Sequence, residues 1–288
     1  MKPDAVVRAE RVLGVEAESW TPVVSRGWSR NEHWTIACTD GTRAFLKVAS
    51  IEPSPQWVRD EVHVYECVDG PFMPRFLGWE DGEEPLLVLE DVSPGARVPP
   101  PWEEGDVDAV LAALQEVASA KVTGELPPLG SLAGWHDIAR DPAPFLSLGL
   151  VSPEWLDAAL PALLDATDRV PLAGDSLVHC DVRSDNLCLR HGRAVLFDWN
   201  HACIGNPAFD VAFWLPSLKL EGGPDPQGVG CDELAVVVAG FFAAHAGLPQ
   251  PEGAPLVRGF QRAQLEAALP WACAVLGLPP DQHHPRSN

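Results

Sequence analysis

The pattern of hydrophobic and polar positions divides the chain into a strand-rich first part and a helical remainder. Short apolar runs typical of β-strands cover residues 21–25, 32–38, 43–50 and 85–90. A helical pattern covers residues 55–68, between the last two of these strands. The segment SPGARVPPPWEEG, residues 93–105, then forms a link, because closely spaced prolines are tolerated neither inside a helix nor in a central strand.

Beyond this link the pattern is mainly helical. Asp106 precedes apolar residues at three-to-four spacing and is a candidate helix cap. Further helices are predicted over residues 152–167, 207–215, 232–245 and 255–276, and the tail after residue 278 is expected to fray. The prediction is therefore an α+β fold with two lobes: a small sheet lobe over residues 1–92 and a larger helical lobe over residues 93–288. The crossing near residues 90–93 predicts a ligand cleft between the lobes.

The charge of the chain narrows the choice of partners. With 20 Lys and Arg against 41 Asp and Glu, the 288 residues carry a formal net charge of −21. Such a field repels nucleic acid and anionic membranes and attracts cationic substrates. An acidic surface that serves only solubility would have the same composition, so the charge alone identifies no ligand.

The cysteines and the apolar runs indicate the compartment. Seven cysteines, an odd number without any C-x-x-C pair, fit a reducing environment in which they stay thiols. The longest apolar run, residues 234–248, is interrupted by Gly240 and His245 and is shorter than the ~18–20 residues of a membrane span. The first residues mix charges and lack the apolar core of a signal peptide. The expectation is a cytoplasmic monomer or homodimer without a membrane partner.

The segment NLCLRHGRAVLFDW, residues 186–199, is typical of a β-hairpin whose two-residue turn contains Gly192. In that register Asn186 lies opposite Phe197, so the open end of the hairpin brings Asn186 close to Asp198. Strict alternation would point these two side chains to opposite faces of the sheet. One of them must leave the ladder for both to bind one ion, and the sequence leaves this open.

Asn186, Asp198 and the upstream Asp181 together form a candidate hard-oxygen site. Amide and carboxylate oxygens suit Mg²⁺, which shares its remaining positions with water and phosphates. Zinc fits less well, because His179 and Cys180 are adjacent and no second Cys/His pair lies at ligand spacing. Residues of this kind also tie down turns, which is the structural alternative.

The spacing of these polar residues favours catalysis over a tied-down turn. His179-x-Asp181 is followed, after four intervening residues, by Asn186 and later by Asp198. This is the spacing of a kinase catalytic loop and of the metal-binding aspartate that follows it.

Two charged residues of the first lobe strengthen the kinase prediction. Lys47 lies in the apolar strand AFLKVA, where an unpaired charge is costly. On a helix over residues 57–68, Glu61 falls in the middle of an apolar arc. The arc consists of Trp57, Val64, Tyr65 and Val68. A buried acid requires a cation, so Lys47 and Glu61 are predicted to pair, as kinase chemistry needs; the alternative is that both side chains extend to solvent.

The phosphate-binding loop is less well defined by the sequence. No lysine follows a glycine, which excludes a P-loop of the G-x-x-x-x-G-K-[ST] kind. The turn SRGWSRNEH would bind phosphates through backbone amides near Ser29 and Arg30. An ordinary hairpin loop is the alternative.

These motifs resemble those of the aminoglycoside phosphotransferase family, the small-molecule branch of the protein-kinase-like fold. LVHCDVRSDNL resembles its catalytic loop and VLFDWNHACIGNPAFDVA its metal-binding segment. AFLKVA, WVRDEVHVYECV and LLVLEDVSPG resemble its lysine strand, glutamate helix and interlobe hinge. The similarity runs from about residue 21 to residue 215 and implies a two-lobed kinase-like fold and phosphoryl transfer, without specifying the acceptor.

Carried over by position, the resemblance assigns roles to five polar residues. It implies that Asp181 is the base for an acceptor hydroxyl and that Asn186 and Asp198 hold Mg²⁺. It further implies that Lys47, oriented by Glu61, positions the phosphates of ATP.

The resemblance also implies binding and structural roles. The Glu90 carbonyl and the Val92 amide would bind the adenine edge. Asp210, the lone charge in the apolar helix segment PAFDVAFWL, would brace the catalytic loop near His179.

Several positions depart from the family pattern. Cys180 stands where the family commonly has glycine, and with Cys188 it is predicted to be a small apolar filler. Arg183 stands where histidine is frequent, and would either stabilise charge on the transferring phosphoryl group or be a surface arginine. Asn200 replaces a frequent second acid and is a candidate substrate contact together with His201. Asp185 has no assigned role.

The predicted function is transfer of the γ-phosphoryl group of ATP, with Mg²⁺, to a hydroxyl of a small molecule. The acidic balance favours a cationic acceptor such as an aminoglycoside; a sugar, an amino alcohol or a macrolide is the alternative. A protein acceptor is not expected, because Asp210 comes only 12 positions after Asp198 and no Ala-Pro-Glu follows. A non-catalytic nucleotide-binding pseudokinase and a metal-dependent phosphohydrolase are the competing classes.

Overall fold

A computed structural model describes residues 1–24, 31–50, 53–251 and 256–279 of the chain. The chain divides into two compact units: Met1–Pro128 with Ser176–Pro207, and Leu129–Asp175 with Ala208–Asn288. The predicted α+β class is confirmed. The segment with the predicted catalytic residues belongs to the same unit as the sheet, and a boundary between lobes near residue 92 stays a prediction.

The first unit contains all ten strands of the described chain and three of its helices. The strands are β1 (Ala17–Pro22), β2 (Glu32–Cys38), β3 (Arg43–Val48), β4 (Phe76–Glu80), β5 (Leu86–Glu90), β6 (Ala96–Arg97), β7 (Ser176–Val178), β8 (Leu187–Arg190), β9 (Arg193–Leu196) and β10 (Cys203–Gly205). The helices are α1 (Asp4–Leu13), α2 (Ser54–Cys67) and α3 (Asp106–Ala118).

Five of the strands form an antiparallel sheet in the order β1-β2-β3-β5-β4. On one face, α1 contributes Val6 and Ala9 to an apolar core that includes Leu46 of β3. Because side chains alternate along a strand, Phe45 and Lys47 of β3 face the opposite side of the sheet. The core thus fixes β3 so that a single lysine projects from the other face.

Two predictions about the first unit are corrected by the structure. The first strand runs from Ala17 to Pro22 rather than over residues 21–25, since β1 pairs with β2 from Cys38 to Trp34. Residue 25 lies outside the described residues. Trp57 of α2 is 37% exposed, and Val58 and Val62 are buried instead, so the apolar arc is rotated from the predicted one.

The two small sheets of this unit position the predicted catalytic segment. β7 pairs with β10, and β8 lies between β6 and β9. The β8–β9 hairpin has the predicted turn, with φ of 53° at His191 and 76° at Gly192. The Phe197 amide donates to the Asn186 carbonyl at 2.9 Å, so the predicted register is confirmed.

The described part of the second unit contains helices and connecting loops but no strands. Its helices are α4 (Trp135–Arg140), α5 (Ala143–Leu146), α6 (Pro153–Arg169), α7 (Ala208–Leu220), α8 (Ala235–Ala246) and α9 (Val257–Leu276). Helix α7 runs five residues beyond the predicted end at residue 215, although proline usually ends a helix and Pro216 lies inside this one.

Close approach between helices stabilises this unit. The indole of Trp135 is fully buried and donates to the Val236 carbonyl at 2.8 Å. A Cβ at Gly240 would lie 2.7 Å from the Trp135 ring, so only glycine lets α8 approach α4 this closely. No helix in the described part of the chain is long and apolar enough to cross a membrane.

Candidate active site

Lys47 is buried on β3 and forms an ion pair with Glu61 of α2. Its Nζ lies 2.7 Å from Oε2 of Glu61, and the two side chains are only 8% and 1% exposed. Burial acts to lower the pKa of Lys47, but the carboxylates of Glu61 and Asp198 more than offset it and hold the pKa above its ordinary value. Burial raises the pKa of Glu61, which Lys47 partly counteracts. The predicted contact is present, and the lysine keeps the positive charge that a phosphate ligand needs.

Asp198 gives Lys47 a second carboxylate partner. Its Oδ1 contacts Nζ of Lys47, while 43% of its side chain remains exposed. Burial opposes ionisation of Asp198, yet the adjacent Lys47 holds its pKa below the ordinary value. The aspartate is therefore ionised and retains surface for a further ligand.

The backbone around the hairpin resolves the alternation problem posed by the sequence. Asp198 follows the end of β9 and has a left-handed backbone with a φ of 63°, which aspartate tolerates better than most residues. Asn186 lies in the 3₁₀ turn Ser184–Asn186, before β8 begins. Both residues lie outside the paired strands β8 and β9, so the alternation of side chains along a strand does not set their directions.

Asp181 is oriented by its neighbours in the predicted catalytic loop. Nδ2 of Asn186 donates to Oδ2 of Asp181 at 2.7 Å and to the Asp181 carbonyl at 2.9 Å. Nη1 of Arg183 lies 3.3 Å from Oδ1 of Asp181, whose side chain is 30% exposed. The carboxylate is thus fixed by two donors and remains open to solvent, as a base that receives a proton from a ligand must be.

Arg183 and Asp185 form a bidentate ion pair that the sequence did not predict. Nε and Nη2 of Arg183 donate to the two carboxylate oxygens of Asp185, each at 2.9 Å. Burial would lower the pKa of Arg183, but Asp181 and Asp185 raise it above its ordinary value. Only 17% of the Arg183 side chain is exposed, which excludes the surface-arginine alternative. The bidentate contact holds the guanidinium in one orientation.

His179 connects the catalytic loop to the segment that carries Asp198. The Asp181 amide donates to Nδ1 at 3.2 Å, and Nε2 lies 2.9 Å from the Phe197 carbonyl. Since a carbonyl only accepts and an amide N–H only donates, the ring is neutral, with its proton on Nε2. Burial lowers the pKa of His179 to about 4, which agrees with the neutral ring. This geometry fits the predicted role of a brace.

The predicted adenine contacts lie where β5 leaves the sheet. Glu90 is the last residue of β5, and its carboxylate accepts from Arg190 at 3.0 Å and from Arg75 at 3.3 Å. The buried Asp91 accepts from Arg43 and from the Ser93 amide, which fixes the turn that contains Val92. Contact of the Glu90 carbonyl and the Val92 amide with adenine stays a prediction.

The remaining predicted site residues do not form one cluster in the described part of the chain. Asn200 and His201 lie in the 3₁₀ turn Trp199–His201, and the exposed His201 ring makes an edge contact with Trp57 at 6.5 Å between centroids. Asp210 is buried on α7 in the second unit, and its bracing role stays a prediction. Ser29 and Arg30 lie outside the described residues.

Sequence reasoning missed two residues that contact this site. His33 of β2 pairs with Lys47 across the sheet and stacks on Phe45 at 5.4 Å between centroids. Trp199 is fully buried 4.5 Å from the His179 ring, and its amide lies 3.4 Å from Oε1 of Glu61. Trp199 directly follows Asp198 in the sequence, and this position could have indicated its role. The position of His33 depended on the register between two strands and had no such signal.

The neutral His33 predicts a stability that falls in acid. Burial, aided by Lys47, lowers the pKa of His33 to about 4. An unfolded histidine titrates near ~6.5, so between these values only the unfolded state binds the proton. The free energy of unfolding should therefore fall as the pH drops from about 6.5 to about 4, with no His33 contribution above that window.

Urea unfolding of the wild type and of His33→Gln over this pH range tests the prediction. The variant should show a flatter fall, by at most about 1.4 kcal/mol per pH unit for one proton. His63→Gln, which changes an exposed position on α2, is the control. Identical slopes for wild type and His33→Gln would contradict the prediction.

The donor set fits a hard divalent cation. Asn186 uses its amide N–H groups on Asp181, which leaves the amide oxygen as its ligand atom, and Asp198 offers an ionised carboxylate. Oxygen donors of this kind suit Mg²⁺ supplemented by water and phosphate oxygens. Within the described residues no group of three or more His, Cys, Asp or Glu side chains could hold a metal ion. A bound ion would therefore need water or phosphate oxygens as further ligands.

Comparison with known proteins identifies the family and the fold. Residues 21–270 match the model of a family described as the phosphotransferase enzyme family. An aminoglycoside phosphotransferase from Alicyclobacillus acidocaldarius subsp. acidocaldarius is similar in structure, with a TM-score of 0.55 and 16% identity over 96% of this chain and 95% of that chain.

Two further solved structures have the same fold. A choline kinase from Cryptosporidium parvum Iowa II has a TM-score of 0.56 at 8% identity, over 91% of both chains. A macrolide 2′-phosphotransferase from Brachybacterium faecium has a TM-score of 0.50 at 14% identity, over 98% of this chain and 99% of that chain. No curated protein sequence matches this chain. At these identities the similarity establishes the fold and leaves the acceptor open.

Proposed function

Because the chain belongs to the phosphotransferase enzyme family, we propose that it transfers the γ-phosphoryl group of ATP to a hydroxyl of a cationic small molecule. The observation that carries the proposal is the buried Lys47–Glu61 pair in contact with Asp198. A buried lysine with a purely structural role needs only one carboxylate partner. The second, half-exposed carboxylate makes the lysine part of a site that is open to a charged ligand.

In this proposal each charged residue has one task. Lys47 binds phosphate oxygens, and Glu61 holds the ammonium group in position through their 2.7 Å contact. Asp181 accepts the proton of the acceptor hydroxyl as the oxygen attacks phosphorus. Arg183, fixed by Asp185 and within 3.3 Å of Asp181, offers positive charge to the transferring group.

Asn186 and Asp198 would hold Mg²⁺ through an amide oxygen and a carboxylate. When bound, the ion neutralises charge on the phosphates during transfer. His179 links Asp181 to the segment that carries Asp198, because its ring bonds to both the Asp181 amide and the Phe197 carbonyl.

The net charge supports a cationic acceptor. With −21 formal charges, the protein attracts polyamines and aminoglycosides over long range and repels anionic sugars. Attraction of this kind is screened by salt over a Debye length of about 10 Å at 0.1 M.

A phosphorylation screen tests both parts of the proposal. The purified protein is incubated with Mg²⁺ and ATP and with an aminoglycoside, an amino alcohol, a neutral sugar or a macrolide, and phosphorylated products are detected by mass spectrometry. We expect the aminoglycoside or another cationic acceptor to be phosphorylated, with kcat/KM falling as the salt concentration rises.

Two outcomes of this screen would contradict the proposal in different ways. Turnover of the neutral sugar alone would overturn the cationic acceptor and keep the phosphotransferase. Nucleotide binding without turnover of any acceptor would favour the pseudokinase alternative.

A further inference from the structure

Two cysteines lie in contact beside the candidate base. Sγ of Cys180 and Sγ of Cys203 are 3.2 Å apart, and both residues belong to the first unit. Cys180 directly precedes Asp181, and Cys203 begins β10, where it pairs with Val178 of β7. These two residues are called the thiol pair below.

We propose that the thiol pair is an oxidation site, at which a peroxide or a low-molecular-weight disulfide joins Cys180 to Cys203 and stops turnover. Formation of the disulfide does not depend on the proposed function. Only its effect on phosphoryl transfer rests on that function.

The fold already holds the two sulfur atoms close to bonding distance. The β7–β10 ladder places Cys203 opposite Val178, two residues before Cys180. A disulfide requires an S–S distance of about 2.05 Å, so the sulfur atoms must approach by about 1 Å. The cross-link therefore needs a local adjustment and no rearrangement of the sheet.

The backbone of Cys180 is in a conformation that cysteine rarely adopts. Its φ is 67°, in the left-handed region that is strained for a residue with a Cβ atom. Glycine would take this conformation without strain but would provide no sulfur atom. The side chain of Cys180 is thus held against Cys203 by a strained turn that ends at Asp181.

The oxidation balances with a peroxide as the only co-reactant. The partly exposed Cys180 thiolate attacks one peroxide oxygen, so that an S–O bond forms, the O–O bond breaks and the leaving hydroxide takes up a proton. The Cys203 sulfur then attacks the sulfenic sulfur, so that the S–S bond forms and the S–O bond breaks to release water. The two thiols lose two electrons and two protons, and hydrogen peroxide becomes two molecules of water.

A low-molecular-weight disulfide would give the same product by exchange. The Cys180 thiolate attacks one of its sulfur atoms and releases a thiol, and Cys203 then displaces the second thiol. The two electrons from the thiol pair end in the two released thiols, so this route also balances.

Burial disfavours the same reaction at other cysteines. It raises the pKa of the Cys188 thiol to about 11, that of Cys231 to about 12 and that of Cys273 to about 11. Since the thiolate is the reactive form, these three residues present little of it at neutral pH. Burial also raises the pKa of the Cys38 and Cys67 thiols. We therefore expect a mild oxidant to act first on the thiol pair, whose sulfur atoms already lie 3.2 Å apart.

The cross-link would act on Asp181 through the shared backbone. The Asp181 amide is bonded to His179, and its carboxylate is bonded to Asn186. A shift of about 1 Å at Cys180 would disturb both contacts, and misplacement on that scale costs ~10²-fold in rate. Reduction would restore the loop.

The test is oxidation of the reduced protein with hydrogen peroxide and, separately, with oxidised glutathione. Proteolysis without reductant followed by mass spectrometry should reveal a peptide that links Cys180 to Cys203, lighter by two hydrogen atoms. Turnover of the acceptor found in the screen should fall ~10²-fold and return with dithiothreitol.

Cysteine variants distinguish inhibition by the Cys180–Cys203 disulfide from general oxidative damage. Cys203→Ala should keep the turnover of the reduced enzyme and lose its sensitivity to oxidants, while Cys188→Ala should remain sensitive. If Cys203→Ala does not fold, Cys203→Ser, which nearly keeps the size of the side chain and forms no disulfide, serves in its place. Absence of the linked peptide in the wild type would overturn the oxidation site, whatever the activity. A linked peptide with unchanged turnover would overturn the inhibition.

Discussion

The Asp181→Asn variant should fold and bind ATP but lose turnover by ~10²–10⁴-fold, the scale of general base catalysis. Asparagine has nearly the same shape, and its amide oxygen can still accept from Nδ2 of Asn186, which donates to Oδ2 of Asp181 at 2.7 Å. The catalytic loop therefore keeps its structure, and only the ability to take a proton is removed. Steady-state kinetics and calorimetric titration of a nonhydrolysable ATP analogue measure the two effects separately.

A neighbouring acid provides a matched control. Asp185→Asn removes the same charge four residues away, from a side chain whose observed contact is the bidentate ion pair with Arg183. We expect a much smaller loss of turnover there, because one oxygen can still accept from the guanidinium. Equal losses in the two variants would mean that loop charge matters more than the base, and unchanged turnover in Asp181→Asn would remove Asp181 from its role.

Substitution of Lys47 by methionine should reduce both activity and stability. The change leaves Glu61, whose side chain is 1% exposed, without its cation. Removal of one partner from a buried pair typically costs 3–5 kcal/mol, because the remaining charge stays desolvated. Turnover should fall by ~10²-fold or more, since the phosphates lose their positively charged ligand.

Two comparisons make this prediction specific. The double variant Lys47→Met/Glu61→Leu should recover part of the lost unfolding free energy but none of the turnover, because no unpaired buried acid remains. Lys219→Met breaks the exposed pair with Asp225 and should cost at most about 1 kcal/mol. A Lys47→Met protein as stable as the wild type would show that the site is hydrated and not buried.

The Lys47→Ala variant separates a kinase from a phosphohydrolase. A metal-dependent hydrolase could use the oxygen atoms of Asn186 and Asp198, but it has no need of Lys47 paired with Glu61. Phosphoester hydrolysis that needs no ATP and survives Lys47→Ala would therefore contradict the proposed function.

Sequence patterns were sufficient to predict a feature where the constraint was local or where the alternative would be energetically costly. The turn at residues 191–192 fixed the hairpin register, because a positive φ is easy for glycine and tolerable for histidine. Glu61 was identified because an acid on a buried helix face needs a cation, and Lys47 was the matching charge. Both inferences held although the apolar arc itself was rotated, with Trp57 partly exposed.

The position of His33 could not be derived from the sequence. A two-residue turn at Asp40-Gly41 would pair Thr39 with Thr42 and put His33 opposite Val48. The strands instead close with Cys38 donating to the Thr42 carbonyl, one residue earlier, so His33 lies opposite Lys47. A shift of one residue exchanges the faces of a strand, and the turn sequence permits either length.

The sequence by itself determined the α+β class, the catalytic-loop spacing and the Lys47–Glu61 contact, because each follows from periodicity or from the cost of burying a charge. Only the tertiary structure decided how the side chains of that loop are used. It assigned Asp185 to Arg183, moved both Asn186 and Asp198 out of the ladder and brought Cys180 to Cys203. Contacts between segments that are distant in sequence depend on strand register and backbone twist, which local composition does not specify.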